Sequence, residues 1–404
     1  EDGTESRCDN NEKSPLHIAK EAKFLPIVRL LLTLPEESIN IEICGLDLEM
    51  AIEHNLLNHV EVLARRDFQN KFIDDATERR KQVRRLKYGQ RLLDFSCKKG
   101  LIKVVKLILL SKESYNLSTS LYIACQHDQP NIVKCLLSTG LDVHQKEGAS
   151  SLLRVACAHG SSNVVQFLVA TNLLEVDLNE TSKDYGKTLL FVACEGGHLD
   201  VVKVLLKKTN GRQINQATIK GKMGGITPLF SACYNGHLGV IKLLLKSADG
   251  LLVNQATDDG VTPFIFACQK DRVDVVKLLV EVDDIQVNQT DMTGQTALML
   301  AHQPATLSVL LSTDGIDVNA ADEEGNTALI NACWGELEIV ALLLQATNIH
   351  VNQANNIGMS ALNQACFFMR DLKFSPGDAS DDVSKQISLL KLLLNVEEID
   401  VNHA

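Results

Sequence analysis

What this 404-residue chain lacks narrows its chemistry first. No apolar run reaches the roughly 18 residues that a bilayer-crossing helix needs, so a soluble chain without membrane association is expected. Nor does a glycine-rich phosphate cradle follow a strand, and there is neither a Gly-x-Ser-x-Gly elbow nor a paired-carboxylate motif. Without these, nucleotide-driven, hydrolytic and glycosidase chemistries have no carrier, and a non-enzymatic protein with no cofactor and no metal is expected. Rings are scarce as well: Phe, Tyr and Trp total 4%, with one tryptophan, so any aromatic outside the core is informative. Positive charge is short in the later part of the chain. Residues 1–150 carry 22 Lys+Arg against 22 Asp+Glu, while residues 151–404 carry 18 against 29, placing the whole net charge of −11 there. Such a field disfavours nucleic acid and anionic membrane and favours a basic or neutral protein partner.

What is present is a phrase rewritten at a period of about 33 residues. It reads Thr188-Leu189-Leu190-Phe191-Val192-Ala193-Cys194, then Thr227-Pro228-Leu229-Phe230-Ser231-Ala232-Cys233, Thr262-Pro263-Phe264-Ile265-Phe266-Ala267-Cys268 and Thr327-Ala328-Leu329-Ile330-Asn331-Ala332-Cys333. Eleven units are expected, starting near Ser14, Leu46, Gly89, Ser118, Ser150, Lys187, Thr227, Thr262, Thr296, Thr327 and Ser360. A unit of that size cannot bury its own apolar face, so neighbours must stack into one shared core.

Within a unit, Ser or Thr caps a first helix, and Pro228 or Pro263 suits the first helical position because its missing N–H would be unpaired there anyway. Glycine ends that helix at Gly197 and Gly236, and a second helix follows with apolar residues at i, i+3, i+4, as in Val201 to Leu206 and Val240 to Leu245. An extended stretch then closes in a glycine turn: Val253 to Gly260, Val287 to Gly294, Val318 to Gly325 and Val351 to Gly358. Eight of the eleven cysteines (Cys97, Cys125, Cys157, Cys194, Cys233, Cys268, Cys333 and Cys366) share one register. Equivalent positions on stacked helices lie about 8–10 Å apart, too far for a disulfide, so free, buried thiols in a reducing compartment are expected.

Several units are irregular. Residues 69–87 form a charged linker whose Arg79, Arg80, Lys81, Arg84, Arg85 and Lys87 follow Asp74, Asp75 and Glu78. That order suits a solvated helix, with a nuclear import signal or an anion contact as alternatives. Lys220 to Gly225 lengthens one hairpin, and Pro304 should clip the first helix of the ninth unit. A loop composition interrupts the last unit between Arg370 and Val383. Two Cys–His pairs, Cys194 with His198 and Cys233 with His237, have the spacing of two metal ligands. Each supplies only half of a structural zinc site and straddles a helix-ending glycine, so packing is expected of them.

These phrases, with Ser14-Pro15-Leu16-His17, Gly197-His198-Leu199-Asp200-Val201-Val202 and Asp317-Val318-Asn319-Ala320, resemble the ankyrin repeat family over nearly the whole chain. The resemblance implies an all-α solenoid of helix–turn–helix units with β-hairpin loops, elongated and curved. It has a polar segment over 1–13, irregular units over 14–149, regular units over 150–359 and a last unit with its insertion over 360–404. It also implies a protein or peptide partner along the concave side, touching hairpin tips and first-helix ends. At the helix ends, Tyr234, Asn235, Gln269, Lys270 and Trp334 are the candidates. At the tips they are Tyr185, Asp258, Asp259, Met292, Glu323, Glu324 and Asn356. Phe367 and Phe368 are expected to fill gaps. The resemblance further implies that Asn254, Asn288, Asn319 and Asn352 are positions an oxygenase can hydroxylate. The expected role is a protein-interaction scaffold in the cytoplasm, with the nucleus as the alternative setting. The alternative expectation is the recognition segment of a larger enzyme, ubiquitin-ligase component, effector or channel whose active part lies outside this chain.

Overall fold

A threonine opens the sixth to tenth units because its hydroxyl can take one of the four N–H groups that a helix start leaves unpaired. In the computed structural model, Thr188 Oγ1 accepts from Phe191 N at 3.0 Å, Thr227 Oγ1 from Phe230 N at 3.1 Å, and Thr262 Oγ1 from Ile265 N at 3.1 Å. Thr327 Oγ1 does the same for Ile330 N at 3.3 Å. The structure describes residues 78–401 except 111–113, 142–147, 172–177, 179–180, 183–184, 210–212, 220–223, 248–249, 335 and 372–379. The side chains within 78–88, 148–150, 368–371 and 380–383 also fall outside the description. The two units expected from Ser14 and Leu46, the tip insertion and the centre of the Arg370–Val383 segment therefore lie outside the described residues.

Seventeen helices and no strand occur among the described residues. They fall in two compact units, one ending at Gln145 and one beginning at Lys146. The first holds α1 (Glu78–Lys99), α2 (Ile102–Leu110), α3 (Leu117–Gln126) and α4 (Pro130–Leu137). Here α1 packs on α2 and α3 on α4, while α1 also lies on α3 and α2 on α4, which is two helical hairpins stacked in two layers. The charged linker is not a separate helix, because α1 runs unbroken from Glu78 through the third unit's first helix. Ser118 does not open the fourth unit: Asn116 does, its Oδ1 accepting from Thr119 N at 3.1 Å. Gln90 Nε2 donates to Asp94 Oδ1 and Ser120 Oγ, and Ser120 Oγ donates to Asp94 Oδ1 at 2.6 Å, tying α1 to α3.

The second compact unit repeats this arrangement. Its first helices are α5 (Gly148–Ala158), α7 (Leu189–Glu195), α9 (Pro228–Asn235), α11 (Pro263–Gln269), α14 (Ala328–Ala332) and α16 (Ala361–Asp371). The second helices are α6 (Ser162–Thr171), α8 (Leu199–Thr209), α10 (Leu238–Ser247), α12 (Val273–Val280), α13 (Pro304–Leu311), α15 (Leu337–Leu343) and α17 (Ser380–Leu394). First helices lie on first helices, as α5, α7, α9 and α11 do in turn, and second helices on second helices from α6 to α17. The fifth unit's helix starts at Gly148, two residues before the expected Ser150.

Three positions of a typical second helix face the core at n, n+1 and n+4: Val201, Val202 and Leu205 in α8, Val240, Ile241 and Leu244 in α10, and Val275, Val276 and Leu279 in α12. Burying each such side chain stabilises the stack by about 1.5–3 kcal/mol. Seven ladder cysteines are buried and free, and burial pushes the thiols of Cys125, Cys157 and Cys333 up to about 12. Cys366 departs from its row: it is exposed on α16.

The ninth unit is different. Thr296 and the start of its second helix, Pro304, are eight positions apart, against eleven from Thr227 to Leu238, so the connection that other units use is missing. Residues Ala297–Leu300 make turns instead of an α-helix, although Thr296 Oγ1 still receives Met299 N at 3.4 Å. Pro304 then serves as the first residue of α13, where its ring costs nothing. Neighbouring units brace the gap. Asp271 Oδ1 accepts from Gln303 N at 3.1 Å, and His302 Nδ1 lies 3.1 Å from Glu336 Oε1.

Candidate functional site

Between one second helix and the next first helix, the chain runs out and back as a finger. Each tip is a tight turn built by short polar side chains and a left-handed glycine. Asp291 Oδ1 takes Thr293 N and Gln295 N at 2.9 and 3.0 Å, and Asn355 Oδ1 takes Met359 N at 2.8 Å. Gly294 has φ +78, and a Cβ there would lie 2.8 Å from Glu323 N of the next finger. Only glycine meets both demands. Single antiparallel bridges, Thr290 with Thr296, Ala321 with Thr327 and Ala354 with Ser360, close the finger bases.

Successive tips are joined through their backbones. Ile219 N donates to Tyr185 O at 3.0 Å, Asp258 N to Gly224 O at 3.0 Å, Met292 N to Asp259 O at 3.0 Å, Glu323 N to Thr293 O at 3.1 Å, and Asn356 N to Glu324 O at 3.0 Å. The seven tip residues singled out in the sequence therefore sit in one bonded row. Their side chains all reach solvent. Sequence reasoning did not identify Ile219 as a tip residue, yet it is 68% exposed and equivalent in bonding to Asp258. The 220–223 insertion lies between it and Gly224, which displaced the register.

Helix-end candidates form a second row, because each follows a ladder cysteine. Tyr234 and Trp334 are 50% and 55% exposed. Tyr234 lays its ring on Phe266 of the following unit, centroids 4.9 Å apart at 20°, and Phe266 also meets Phe230 at 5.1 Å. One face of Tyr234 thus packs while the other meets solvent. Lys270 Nζ lies 5.7 Å from the Phe266 centroid, a cation–π contact worth about 0.5–1 kcal/mol at an exposed site. Asn235 is exposed, with Nδ2 donating to Ser231 O at 3.0 Å, and Gln269 is half-buried. Phe367, expected to fill a gap, is 41% exposed in the same row as Tyr234 and Trp334. The Phe368 side chain lies outside the description.

The histidines of the Cys–His pairs serve the stack. His198 Nε2 lies 2.9 Å from Ala158 O and His237 Nε2 3.1 Å from Glu195 O, each the last carbonyl of the preceding unit's first helix. A carbonyl only accepts, so Nε2 carries the hydrogen. Each ring also lies against a glycine: a Cβ on Gly160 or Gly197 would come within 2.6 Å of the imidazole. Among the described residues no group of three or more His, Cys, Asp or Glu is placed to hold a metal. No described helix is long and apolar enough to cross a membrane.

A ladder of asparagines at the finger bases was not recognised in the sequence as structural. Asn215, Asn254, Asn288, Asn319 and Asn352 each make two bonds to the next unit's loop. Asn319 Nδ2 donates to Asn348 O and its Oδ1 accepts from His350 N, both at 2.7 Å. The recurring Val-Asn pair was the available signal.

A family profile described as ankyrin repeats in three copies matches in overlapping stretches: residues 93–179, 121–218, 153–255, 212–291, 250–322 and 284–355. These cover well over half of the sequence, and the chain belongs to the ankyrin repeat family. Ankyrin repeats are generally protein–protein interaction modules. Among solved structures, the chain is similar to the ankyrin repeat domain of Bcl-3, titled a unique member of the IkappaB protein family, at 24% identity over 52% of this chain and 92% of that one, TM-score 0.47. It is also similar to EF0377, an ankyrin repeat protein, at 20% identity over 51% and 96%, TM-score 0.42. No curated protein matches the chain at a significant level.

Proposed function

We propose that this chain is a non-enzymatic scaffold that captures a partner protein on its concave side, the face of first-helix ends and finger tips. The observation that carries this reading is the coincidence of two rows. Half-exposed rings at Tyr234 and Trp334 share one register, beside a bonded row of exposed tips. Exposed aromatics on a preorganised frame are the usual anchors of an interface, and a rigid frame lowers the ordering cost of binding. The partner is a basic or neutral protein, not nucleic acid, since the tip row carries Asp258, Asp259, Glu323 and Glu324. Seven buried free thiols support a reducing setting, cytoplasmic or nuclear.

The test is quantitative affinity capture with wild-type chain and with a Tyr234→Ala/Trp334→Ala variant, after circular dichroism has confirmed equal melting. A defined set of proteins should be retained at least tenfold less by the variant. An unchanged set would remove the inner face from consideration.

A further inference from the structure

We propose that the finger tips from Asp258 to Ile357 select an extended protein segment in which basic and apolar side chains alternate at every third residue. This rests on the docking reading above and specifies its partner.

Four successive fingers present alternating chemistry. The first offers Asp258 and Asp259, and the next offers Met292 at 63%. Glu323 and Glu324 follow, and then Ile357 at 83%. Among the described residues none of the four carboxylates has a cation within ion-pair distance. The backbone bonds from tip to tip hold this alternation in register, so it is a fixed template.

The spacing of the template sets the spacing of its occupant. Stacked helices lie about 10 Å apart, and the fingers they carry repeat at about that interval. An extended chain advances about 3.3 Å per residue and a polyproline-type chain about 3.1 Å, so one finger matches three residues. The two acidic tips are two fingers apart, about 20 Å, which exceeds the roughly 8 Å screening length at physiological salt. Each acidic pair therefore needs its own cation. A compact basic cluster can satisfy only one, whereas a segment with basic residues six apart satisfies both. Met292 lies between them, with Ile357 beyond, and offers apolar contact to the side chains midway.

The test is selection from a display library of random linear peptides against the full chain, beside a variant carrying Asp258→Asn, Asp259→Asn, Glu323→Gln and Glu324→Gln. These side chains are exposed, so the variant should fold. Recovered peptides should carry Lys or Arg six positions apart with an apolar residue between, bind wild type at least tenfold tighter than isomers with adjacent basic residues, and weaken steeply with salt. The variant should lose the basic preference while keeping the apolar one. Clustered basic residues, no periodicity, or no enrichment would overturn the proposal. Partner loss in the Tyr234→Ala/Trp334→Ala capture together with any of those results would leave the docking reading standing and remove this one alone.

Discussion

At the level of single side chains, the cysteine row shows how register sets chemistry. Burial raises the thiols of Cys125, Cys157 and Cys333 from an ordinary value near 9 to about 12, because the charged form loses its water. At pH 8 about one molecule in ten thousand then carries the reactive thiolate at such a site. Native alkylation at pH 8, read by peptide mass spectrometry, should label Cys366 first among the described cysteines and leave Cys125, Cys157 and Cys333 intact. Rapid labelling of those three would contradict their burial. The same shift ties stability to pH. A group whose pKa is higher in the folded state holds its proton more firmly there, so its contribution is complete below about pH 9 and is lost as pH climbs towards about 12. The melting temperature should hold up to about pH 8.5 and fall beyond 9, and Cys157→Ala should make that fall shallower.

At the level of the element, the opening threonines, the glycine stops and the Val-Val-x-x-Leu cores were readable directly, because each depends on neighbours within a few positions. Cap, stop and helix face are local facts. What escaped were contacts between units. Asn319 bonds to Asn348 O and His350 N, about thirty positions on, and the recurring Val-Asn pair marks the position without naming those partners. Ile219 escaped for a related reason: only its bond to Tyr185 reveals it as a tip. The end-of-helix and tip candidates could be picked out, since they follow from register alone, but the alternation along the tips emerges only once the fingers are lined up. Asn319→Ala leaves one carbonyl and one N–H of the following loop without their partners, at a cost of about 1–3 kcal/mol if water does not replace them. Denaturant unfolding should show a lower midpoint with little change in slope. Substitution of the exposed Asn356, whose Nδ2 contacts Glu323 O at a solvated tip, should cost far less.

Across the stacked units of the second compact unit, stability is a sum of unit and nearest-neighbour terms, so the weakest unit decides where opening begins. The ninth unit is that place. Its first segment has no α-helix, and its second helix carries Thr306 where other units carry Val201, Val240 or Val275. The Thr306 hydroxyl is buried with no hydrogen-bond partner, which costs about 1–3 kcal/mol relative to a satisfied or apolar group. The side chains bridging the gap, Asp271 and Glu336, come from the units on either side, and the His302–Glu336 contact is exposed and correspondingly weak. Hydrogen exchange by mass spectrometry should therefore find Ala297–Gln303 exchanging at least tenfold faster than the equivalent stretches of α9 and α11. Thr306→Val removes the unpaired hydroxyl at nearly constant volume, so it should raise the melting temperature and slow exchange at Ala297–Gln303 more than at α9. Uniform exchange along the stack, or a destabilising Thr306→Val, would mean that opening begins elsewhere. The ninth unit lies between the fingers of Asp258–Asp259 and Glu323–Glu324, so an extended partner spanning both should slow exchange at this unit most of all.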